Sequence, residues 1–466
     1  MNIKSPKIDV DNNNPFLNCK LSRQKYANII VKLIESYPSG FVLALNNKWG
    51  TGKTTFIQML QRKLELDFFP TIYFNAWEQD NETNPLNIFI GEFIELFGKK
   101  DSKKIHNLIK SAAIIVKSAL PALIKGVFGK FIGDKTTSEI AEAVSKGAGD
   151  VFKNEVDAYL DRKKAIATFR EDLTSFVTEL SNEKPLVIFI DELDRCRPDY
   201  AVLVLEQIKH LFTIPNIIFV LSIDKIQLSN AIKGYYGSDN IDTEDYLKRF
   251  IDIEYSLPEP EFNVYYQFLL EHYKIYEIIS QKGFHRPDDT HRTMHLIVEI
   301  LMHNNIGKLT LRQQERFFAH LTISLSLLEP NQIINTNFFT FLTFLKFFNP
   351  VFFKGLRDKT ISFESYQEHF LLEFNFETRT RSQYKHPLSL LEFTLGVAYH
   401  EFTKATNNDK LFKYNEKLNE VEILFNSKIS KLPDNQCWEL IKSISENQKN
   451  NLTRIFELIE MGDMFD

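Results

Sequence analysis

Residues 47–55 combine glycines, a lysine and threonines in an arrangement suited to binding phosphate. An apolar run precedes them at 41–47, and the amphipathic pattern of a helix follows them. Between a buried strand and a helix, successive backbone N–H groups and the helix N-terminus face one point, where an anion is stabilised. Lys53 would reach the β- and γ-phosphates of a nucleotide, and the Thr54 hydroxyl would coordinate Mg²⁺. The predicted nucleotide-binding residues of this segment are Asn47, Lys48, Trp49, Gly50, Thr51, Gly52, Lys53, Thr54 and Thr55.

The first position of this loop departs from the strict pattern, which has glycine where this chain has Asn47. Asparagine tolerates positive φ better than other non-glycine residues do. We therefore expect the turn to survive with asparagine there.

An acidic cluster follows a second apolar run, in the segment Leu186–Arg195. A parallel sheet would place Asp191 at its carboxyl edge, where open α/β folds bind ligands, and there Asp191 can hold Mg²⁺ through water. Glu192 is the natural candidate to polarise an attacking water. An acidic cluster after a strand can also be a solvated loop, but its pairing with the loop at 47–54 favours a nucleotide site.

The chain up to about residue 260 alternates strand and helix patterns. Residues 21–40 have apolar side chains at helical spacing. The strand-like runs are far enough apart for helical crossovers, so the predicted fold class is α/β, with a doubly wound parallel sheet. Beyond about residue 261 the strand patterns stop, and a mostly α-helical C-terminal region is predicted. The predicted strands are 41–47, 71–77, 185–191, 216–224 and 250–256.

The composition is that of a globular protein with several domains. The chain has 466 residues, of which 44% are hydrophobic and 25% charged, and this excludes a disordered chain. The net charge of −5 excludes a broadly basic protein that coats nucleic acid, so nucleic acid is not indicated as a partner. Three scattered cysteines favour a reducing compartment, and the first twenty residues lack an apolar signal segment. These features predict a cytoplasmic protein.

Phenylalanine is abundant, with 41 residues, and it is densest at 338–353. Lys346 and Pro350 interrupt that interval, which is too short and too broken to span a bilayer. We predict a helical core there, and an effector or lipid-facing surface is the alternative.

Several segments together resemble the KAP family of P-loop NTPases, a branch of the additional-strand P-loop ATPases. The resemblance spans about residues 20–260 and is only partly continued by Leu309–Arg316. It implies ATP and Mg²⁺ as cofactors, and ATP rather than GTP rests on the family alone. The matching segments are Lys48–Thr54 with its unusual tryptophan, Phe74–Glu78, Ile190–Cys196, Ser222–Asp224 and Tyr246–Phe250.

The resemblance also implies roles for single residues. Glu192, Lys53 and Arg249 would be catalytic, with Arg249 as an arginine finger in cis or from a neighbouring subunit, unless it is a surface cation. Thr54 and Asp191 would be the metal ligands. The predicted catalytic and metal-binding residues are thus Glu192, Lys53, Arg249, Thr54 and Asp191.

Four further residues have roles that the sequence leaves open. Asp224 would be a polar, cofactor-binding sensor near the γ-phosphate, or else the N-cap of the following helix. Arg312 and Arg316 fall on one helical face, where related ATPases keep a sensor arginine. Glu78, just past its strand, is the alternative to Glu192 for positioning the water.

The function implied is a slow or partner-activated ATPase that acts as a nucleotide-gated switch, in bacteria associated with phage exclusion and defence. Its expected partner is another protein or a second copy of the chain. The alternative is a nucleotide-dependent scaffold with negligible hydrolysis, and a phosphotransferase is disfavoured. The predicted domains are a polar leader at 1–20, a P-loop NTPase domain at 21–260 with a helical insertion at about 85–180, a helical lid at 261–330 and a helical C-terminal domain at 331–466.

The insertion contains a basic amphipathic stretch at 99–135. It holds nine lysines against two aspartates, and the lysines break every uncharged span long enough to cross a bilayer. Such a stretch can lie on an anionic membrane surface, so a peripheral place at the inner face of the membrane is one prediction. The alternative is a helical hairpin packed on the NTPase core with a solvated lysine face.

Flotation separates these two alternatives. If 99–135 binds membranes, the protein rises with anionic liposomes at low salt and stays down at high salt, because salt screens the lysines. Neutral liposomes are the control. Protein that remains at the bottom of the gradient at low salt contradicts the membrane hypothesis.

Overall fold

The computed structural model divides the chain into two compact units, one spanning Ile8–Pro258 and the other built from Glu259–Asp466. The predicted insertion is covered only at its ends, since 98–154, including the basic stretch at 99–135, lies outside the described residues. No helix among the described residues is long and apolar enough to cross a membrane. The described residues are 8–81, 85–97, 155–180, 184–211, 214–258, 262–282, 294–301, 309–329, 335–374, 382–403, 411–415, 420–446 and 452–461.

The N-terminal unit is built on a five-stranded sheet in the order β2-β3-β4-β1-β5. Every neighbouring pair is parallel, and this confirms the predicted α/β class with a doubly wound parallel sheet. Each strand lies inside one of the five predicted segments. The strands are β1 (Val42–Asn46), β2 (Thr71–Asn75), β3 (Leu186–Asp191), β4 (Ile217–Ile223) and β5 (Ile253–Tyr255).

Helices cover both faces of this sheet, because the apolar side chains of its central strands alternate between two cores. Leu186, Ile188 and Ile190 belong to one core, whereas Val187 and Phe189 belong to the other. Burial of each such side chain stabilises the fold by about 1.5–3 kcal/mol. The helices are α1 (Gln24–Ser36), α2 (Lys53–Leu66), α3 (Pro85–Phe97), α4 (Glu155–Leu180), α5 (Pro198–Leu211), α6 (Lys225–Tyr236) and α7 (Thr243–Leu247).

Gly40 lets the chain enter the sheet. Its φ is +102°, and a Cβ there would lie 2.6 Å from the carbonyl oxygen of Ile217 at the start of β4. Only glycine fits this close approach, so Gly40 sets the pairing of β1 with β4 and thereby the position of the loop that follows β1.

The C-terminal unit is mostly helical, as predicted, but it also contains an antiparallel pair of strands, β6 (Phe412–Asn415) and β7 (Glu420–Ile423). The expectation that strands end near residue 261 is therefore wrong for this pair. Both strands are four residues long and half polar, so their apolar pattern is too short to detect. The helices are α8 (Phe262–His272), α9 (Ile275–Gln281), α10 (294–301), α11 (Leu311–Ser326), α12 (Thr336–Phe348), α13 (Pro350–Arg357), α14 (Phe363–Phe374), α15 (Ser382–Thr403), α16 (Asp434–Glu446) and α17 (Leu452–Met461).

The phenylalanine-rich interval forms α12 and α13 and lies in the core of this unit. Along α12 the side chains from Thr336 to Leu345 are buried, apart from Asn337. The rings pack on one another, as in the pair Phe317 and Phe344, whose centroids lie 6.0 Å apart. Most of the dense phenylalanines are therefore core residues, with Phe347 and Phe348 half-buried at the end of α12.

One carboxylate, Glu392 on α15, is fully buried in this apolar unit. Its Oε1 accepts hydrogen bonds from Gln367 Nε2 at 2.8 Å and the Lys428 backbone N–H at 3.2 Å, and its Oε2 accepts from Ser427 Oγ at 2.6 Å. Burial raises the pKa of Glu392, and these hydrogen bonds oppose the rise. The network joins α14, α15 and the segment after β7.

Glu392→Gln tests this network through the pH dependence of stability. The folded pKa of Glu392 is raised, so the folded protein binds more protons than the unfolded chain between the two pKa values, and stability falls as pH rises through that window. The amide has no charge to bury and its oxygen still accepts hydrogen bonds. We expect the difference in unfolding midpoint, variant minus parent, to increase as the pH is raised from below 4.5 to neutral. Glu368→Gln, at an exposed site on α14, is the control, and a difference independent of pH contradicts the account.

Candidate functional site

The loop between β1 and α2 turns sharply at two glycines. Gly50 and Gly52 have φ of 75° and 77°, and Gly52 directly precedes the first residue of α2, Lys53. Side chains other than glycine rarely adopt this left-handed conformation. The loop therefore delivers its backbone N–H groups to the N-terminus of α2, which is the geometry that binds phosphate. Thr54 and Thr55 lie in the first turn of that helix.

Lys53 points back into its own loop. Its Nζ donates to the carbonyl oxygens of Asn47 at 2.5 Å and Lys48 at 3.2 Å. Burial lowers the pKa of Lys53, while the carboxylates of Asp194, Asp224 and Asp191 act in the opposite direction. The lysine thus lies in a buried pocket of acidic residues at the carboxyl edge of the sheet.

Asn47 has a different role from the one its sequence position suggests. It is absent from the described residues with positive φ, so the expectation of a left-handed asparagine is wrong. Its carboxamide instead donates to the Leu257 carbonyl oxygen at 2.9 Å and accepts from the Leu257 N–H at 2.8 Å. This pair of hydrogen bonds ties the loop to the chain that follows β5.

Arg23 is a site residue that sequence reasoning missed. It is buried at the start of α1, and its guanidinium donates to the carbonyl oxygens of Gly52 at 3.0 Å and Thr51 at 2.7 Å. Charged donors on two adjacent carbonyls hold the loop in shape. In sequence Arg23 is one polar residue before a helix, with nothing to connect it to a loop 28 residues later.

Asp191 ends β3, where its side chain is buried. One carboxylate oxygen accepts from the Tyr73 hydroxyl at 3.1 Å and the other from the Glu192 N–H at 3.0 Å. Oxygen donors of this kind suit Mg²⁺, and each carboxylate oxygen keeps a lone pair for such a ligand. The Asp191 carboxylate therefore has the chemistry of a metal ligand, while the metal site that it would form with the Thr54 hydroxyl stays a prediction.

Glu192 has a left-handed backbone, with φ of 59°. Its Oε1 pairs with Arg195 at 2.8 Å and its Oε2 accepts from Asn75 Nδ2 at 3.3 Å. Burial raises the pKa of Glu192, and Arg195 opposes that rise. A non-glycine residue held in this strained conformation is typical of functional sites. The competing residue, Glu78, is exposed, and its backbone N–H donates to Asn75 Oδ1 at 3.4 Å.

Asp194 links the acidic segment to the loop and was not predicted as a site residue. It is buried, accepts from the indole N–H of Trp49, and accepts from the Asp224 N–H at 2.9 Å. Burial raises the pKa of Asp194, against the effects of Trp49 and Lys53. The signal that could have found it is the tryptophan inside the loop, since an indole N–H needs an acceptor.

Asp224 shows the contacts of both of its proposed roles. Its carboxylate caps α6 by accepting from the N–H groups of Ile226 and Gln227, and it also accepts from the Trp49 N–H at 3.3 Å. It therefore touches the loop while it begins a helix.

Three predicted arginines are not joined to this cluster by the contacts of the described residues. Arg249 follows α7, its side chain is 63% exposed, and it pairs with Asp245 at 3.5 Å. Arg312 and Arg316 are exposed on α11, which belongs to the C-terminal unit. The roles implied for them stay predictions.

Strand, glycine loop, lysine at a helix N-terminus and a buried aspartate on a separate strand define a P-loop nucleotide-binding domain. The strand β4 lies between the loop strand β1 and the aspartate strand β3, as the additional-strand class requires. The model of the KAP family P-loop domain matches residues 23–328, well over half of the chain, and the chain belongs to that family of P-loop NTPases.

Two of the solved structures compared with the chain show only weak structural similarity to it. Two structures of the Aeropyrum pernix ORC2 protein, one with ADPNP and ADP and one in the ADP form, are 11% and 12% identical to this chain. The first match covers 92% of this chain and 95% of the ORC2 chain, at a TM-score of 0.31. The second covers 90% of this chain and 92% of the ORC2 chain, at a TM-score of 0.32. At TM-scores this low, no property of these structures is assigned to this chain. None of the curated proteins compared with the chain matches it.

Arg23→Met tests whether the arginine shapes the loop. The variant loses both charged hydrogen bonds, each of which contributes about 1.5–3 kcal/mol, so we expect affinity for Mg-ATP to fall at least about tenfold. Equilibrium dialysis at a temperature where the variant is folded measures this. Lys32→Met, at an exposed site on α1, is the matched control. Parental affinity in a folded Arg23→Met protein would show that the loop needs no such support.

Proposed function

We propose that the protein binds Mg-ATP at the loop of residues 47–55 and hydrolyses it slowly, as a nucleotide-gated switch. The observation that carries this proposal is the position of Lys53, buried among Asp191, Asp194 and Asp224 at the N-terminus of α2. Burying charges of both signs at one edge of a sheet costs free energy unless they pair with one another or bind a ligand. A triphosphate with its metal would complete this arrangement of charges.

Lys53 and the loop would hold the phosphates. The Lys53 Nζ binds two carbonyl oxygens of its own loop, and phosphate oxygens are stronger partners for an ammonium group. Nζ would exchange those carbonyls for the β- and γ-phosphates, while the loop N–H groups bind the remaining phosphate oxygens. Asp191 and the Thr54 hydroxyl would hold Mg²⁺, which neutralises charge developing on the phosphates.

Glu192 would orient the attacking water and accept its proton. Burial raises its pKa toward the range in which a carboxylate is an effective base. Arg195 and Asn75 each contact one of its two oxygens. Each oxygen keeps a lone pair for water, but the ion pair with Arg195 weakens the carboxylate as a base, and this supports slow or conditional turnover.

Arg249 supports a role for a second protein surface. Its side chain is exposed just after α7 and pairs with Asp245. An exposed arginine can stabilise the transferring phosphoryl group when domain closure, a partner or a neighbouring copy brings it to the site. A role in phage exclusion or defence rests on the family resemblance.

The second candidate is a nucleotide-dependent scaffold with negligible hydrolysis. The observation that favours it is the ion pair of Glu192 with Arg195, which would keep the carboxylate too weak a base to activate water. In that case nucleotide binding alone would order a surface for a partner or a membrane.

Phosphate release by the purified protein, with Glu192→Gln and Lys53→Ala, separates these functions. For an ATPase, Glu192→Gln lowers release by about 100-fold or more and keeps Mg-ATP binding, because it removes only the general base. Lys53→Ala abolishes both. GTP is measured in parallel, because ATP preference rests on resemblance.

A scaffold would show negligible release before and after the Glu192 substitution, with binding intact. If Lys53→Ala bound Mg-ATP as tightly as the parent, the loop would not be the phosphate site and both functions would be wrong.

A further inference from the structure

Arg195 lies where three parts of the nucleotide site meet. One guanidinium nitrogen pairs with Glu192 Oε1 at 2.8 Å. The guanidinium carbon also lies 5.8 Å from the ring centroid of Trp49 and 5.4 Å from that of Trp77. Trp49 belongs to the phosphate-binding loop and Trp77 follows β2. A single cation therefore contacts the loop, the turn after β2 and the predicted general base.

The contacts with Glu192 and the two tryptophan rings suit the shape of an arginine side chain. The side chains of Arg195 and Glu192 are 24% and 16% exposed, so their ion pair is partly shielded from water. A planar guanidinium can lie over an aromatic face and still donate in its own plane to a carboxylate. An ammonium group offers a point charge without that plane, so lysine cannot satisfy both partners equally well.

The phosphate-binding loop contacts the short segment that contains Arg195 at a second residue. The indole N–H of Trp49 donates to Asp194, the residue directly before Arg195. Asp194 and Arg195 belong to the 3₁₀ turn Leu193–Arg195 that follows Glu192. A change in the loop at Trp49 therefore acts on two consecutive residues of the turn that positions Glu192.

We propose that Arg195 is a positioning residue that couples the conformation of the phosphate-binding loop to the position of the Glu192 carboxylate, through its contacts with Trp49 and Trp77. The inference rests on the proposed function, because it takes Glu192 to be the residue that orients the attacking water. Arg195 takes part in no bond change. It orients the carboxylate, while Asn75 holds the second oxygen at 3.3 Å.

Trp77 can report this coupling without any hydrolysis. Trp49→Phe with Trp438→Phe leaves Trp77 as the only tryptophan, and phenylalanine keeps an aromatic face at position 49. We expect Mg-ATP to change the emission of Trp77, and the change to be lost on adding Arg195→Ala. Equilibrium dialysis of both proteins checks that nucleotide is bound.

Two outcomes overturn the coupling. If bound Mg-ATP leaves Trp77 emission unchanged, the loop does not communicate with Arg195. If the emission change survives Arg195→Ala, Trp77 senses the nucleotide by another route. Failure of dialysis to detect nucleotide on the parent protein, with Trp49 in place, contradicts the proposed function itself, and the coupling with it.

Kinetics tests the effect on Glu192. Arg195→Gln should lower kcat about tenfold to a hundredfold, as expected when a catalytic group is misplaced, with little change in Mg-ATP affinity. Arg195→Lys should recover part of the rate. In a Glu192→Gln background, removing Arg195 should have no further effect, because there is no carboxylate left to orient. Arg197→Gln, at a site that is 53% exposed, is the matched control.

An additive loss of rate in the Glu192→Gln background, or a loss of affinity equal to the loss of rate, would assign Arg195 to nucleotide binding and overturn its positioning role. If the parent releases no phosphate although it binds Mg-ATP, hydrolysis fails as the proposed function. The Trp77 measurement then still decides whether the loop and Arg195 are coupled.

Discussion

The attraction between Lys53 and the buried aspartates around it is the interaction on which the site depends. Asp191, Asp194 and Asp224 end or follow neighbouring strands, so the sheet gathers three carboxylates at one edge. Three such groups repel one another in a buried place, and Lys53 supplies the compensating positive charge. The parallel sheet, the entry of β1 at Gly40 and the glycine turns all serve to bring the lysine to that edge.

Around this charge cluster, hydrogen bonds fix the loop from several directions. Arg23 holds two of its carbonyls, Leu257 holds Asn47, and Asp194 and Asp224 hold the two N–H groups of Trp49. These partners lie up to 210 residues from the loop in sequence, so several separate segments of the N-terminal unit hold the loop. A loop restrained from several sides in this way is held in one backbone conformation.

The parts of the site that could be predicted are those with short-range signals. The five strands, the loop and Asp191 follow from apolar runs, glycine spacing and a carboxylate at a strand end. The contacts of Arg23 and Asn47 could not be predicted, because each joins distant segments. For Asp194 the one signal was the loop tryptophan, whose indole N–H needs an acceptor. Asn47 shows the limit most plainly, since its expected role was conformational and its observed one is a pair of hydrogen bonds to Leu257. The short strand pair in the C-terminal unit escaped because eight residues of mixed polarity carry too little pattern.

The central claim is that Lys53 exchanges its loop carbonyls for nucleotide phosphates. A crystal structure of the protein with Mg²⁺ and a non-hydrolysable ATP analogue measures this directly. The account predicts that Nζ lies within about 3 Å of β- and γ-phosphate oxygens and has left the carbonyl oxygens of Asn47 and Lys48. An analogue bound elsewhere, with Nζ still on those two carbonyls, would contradict it.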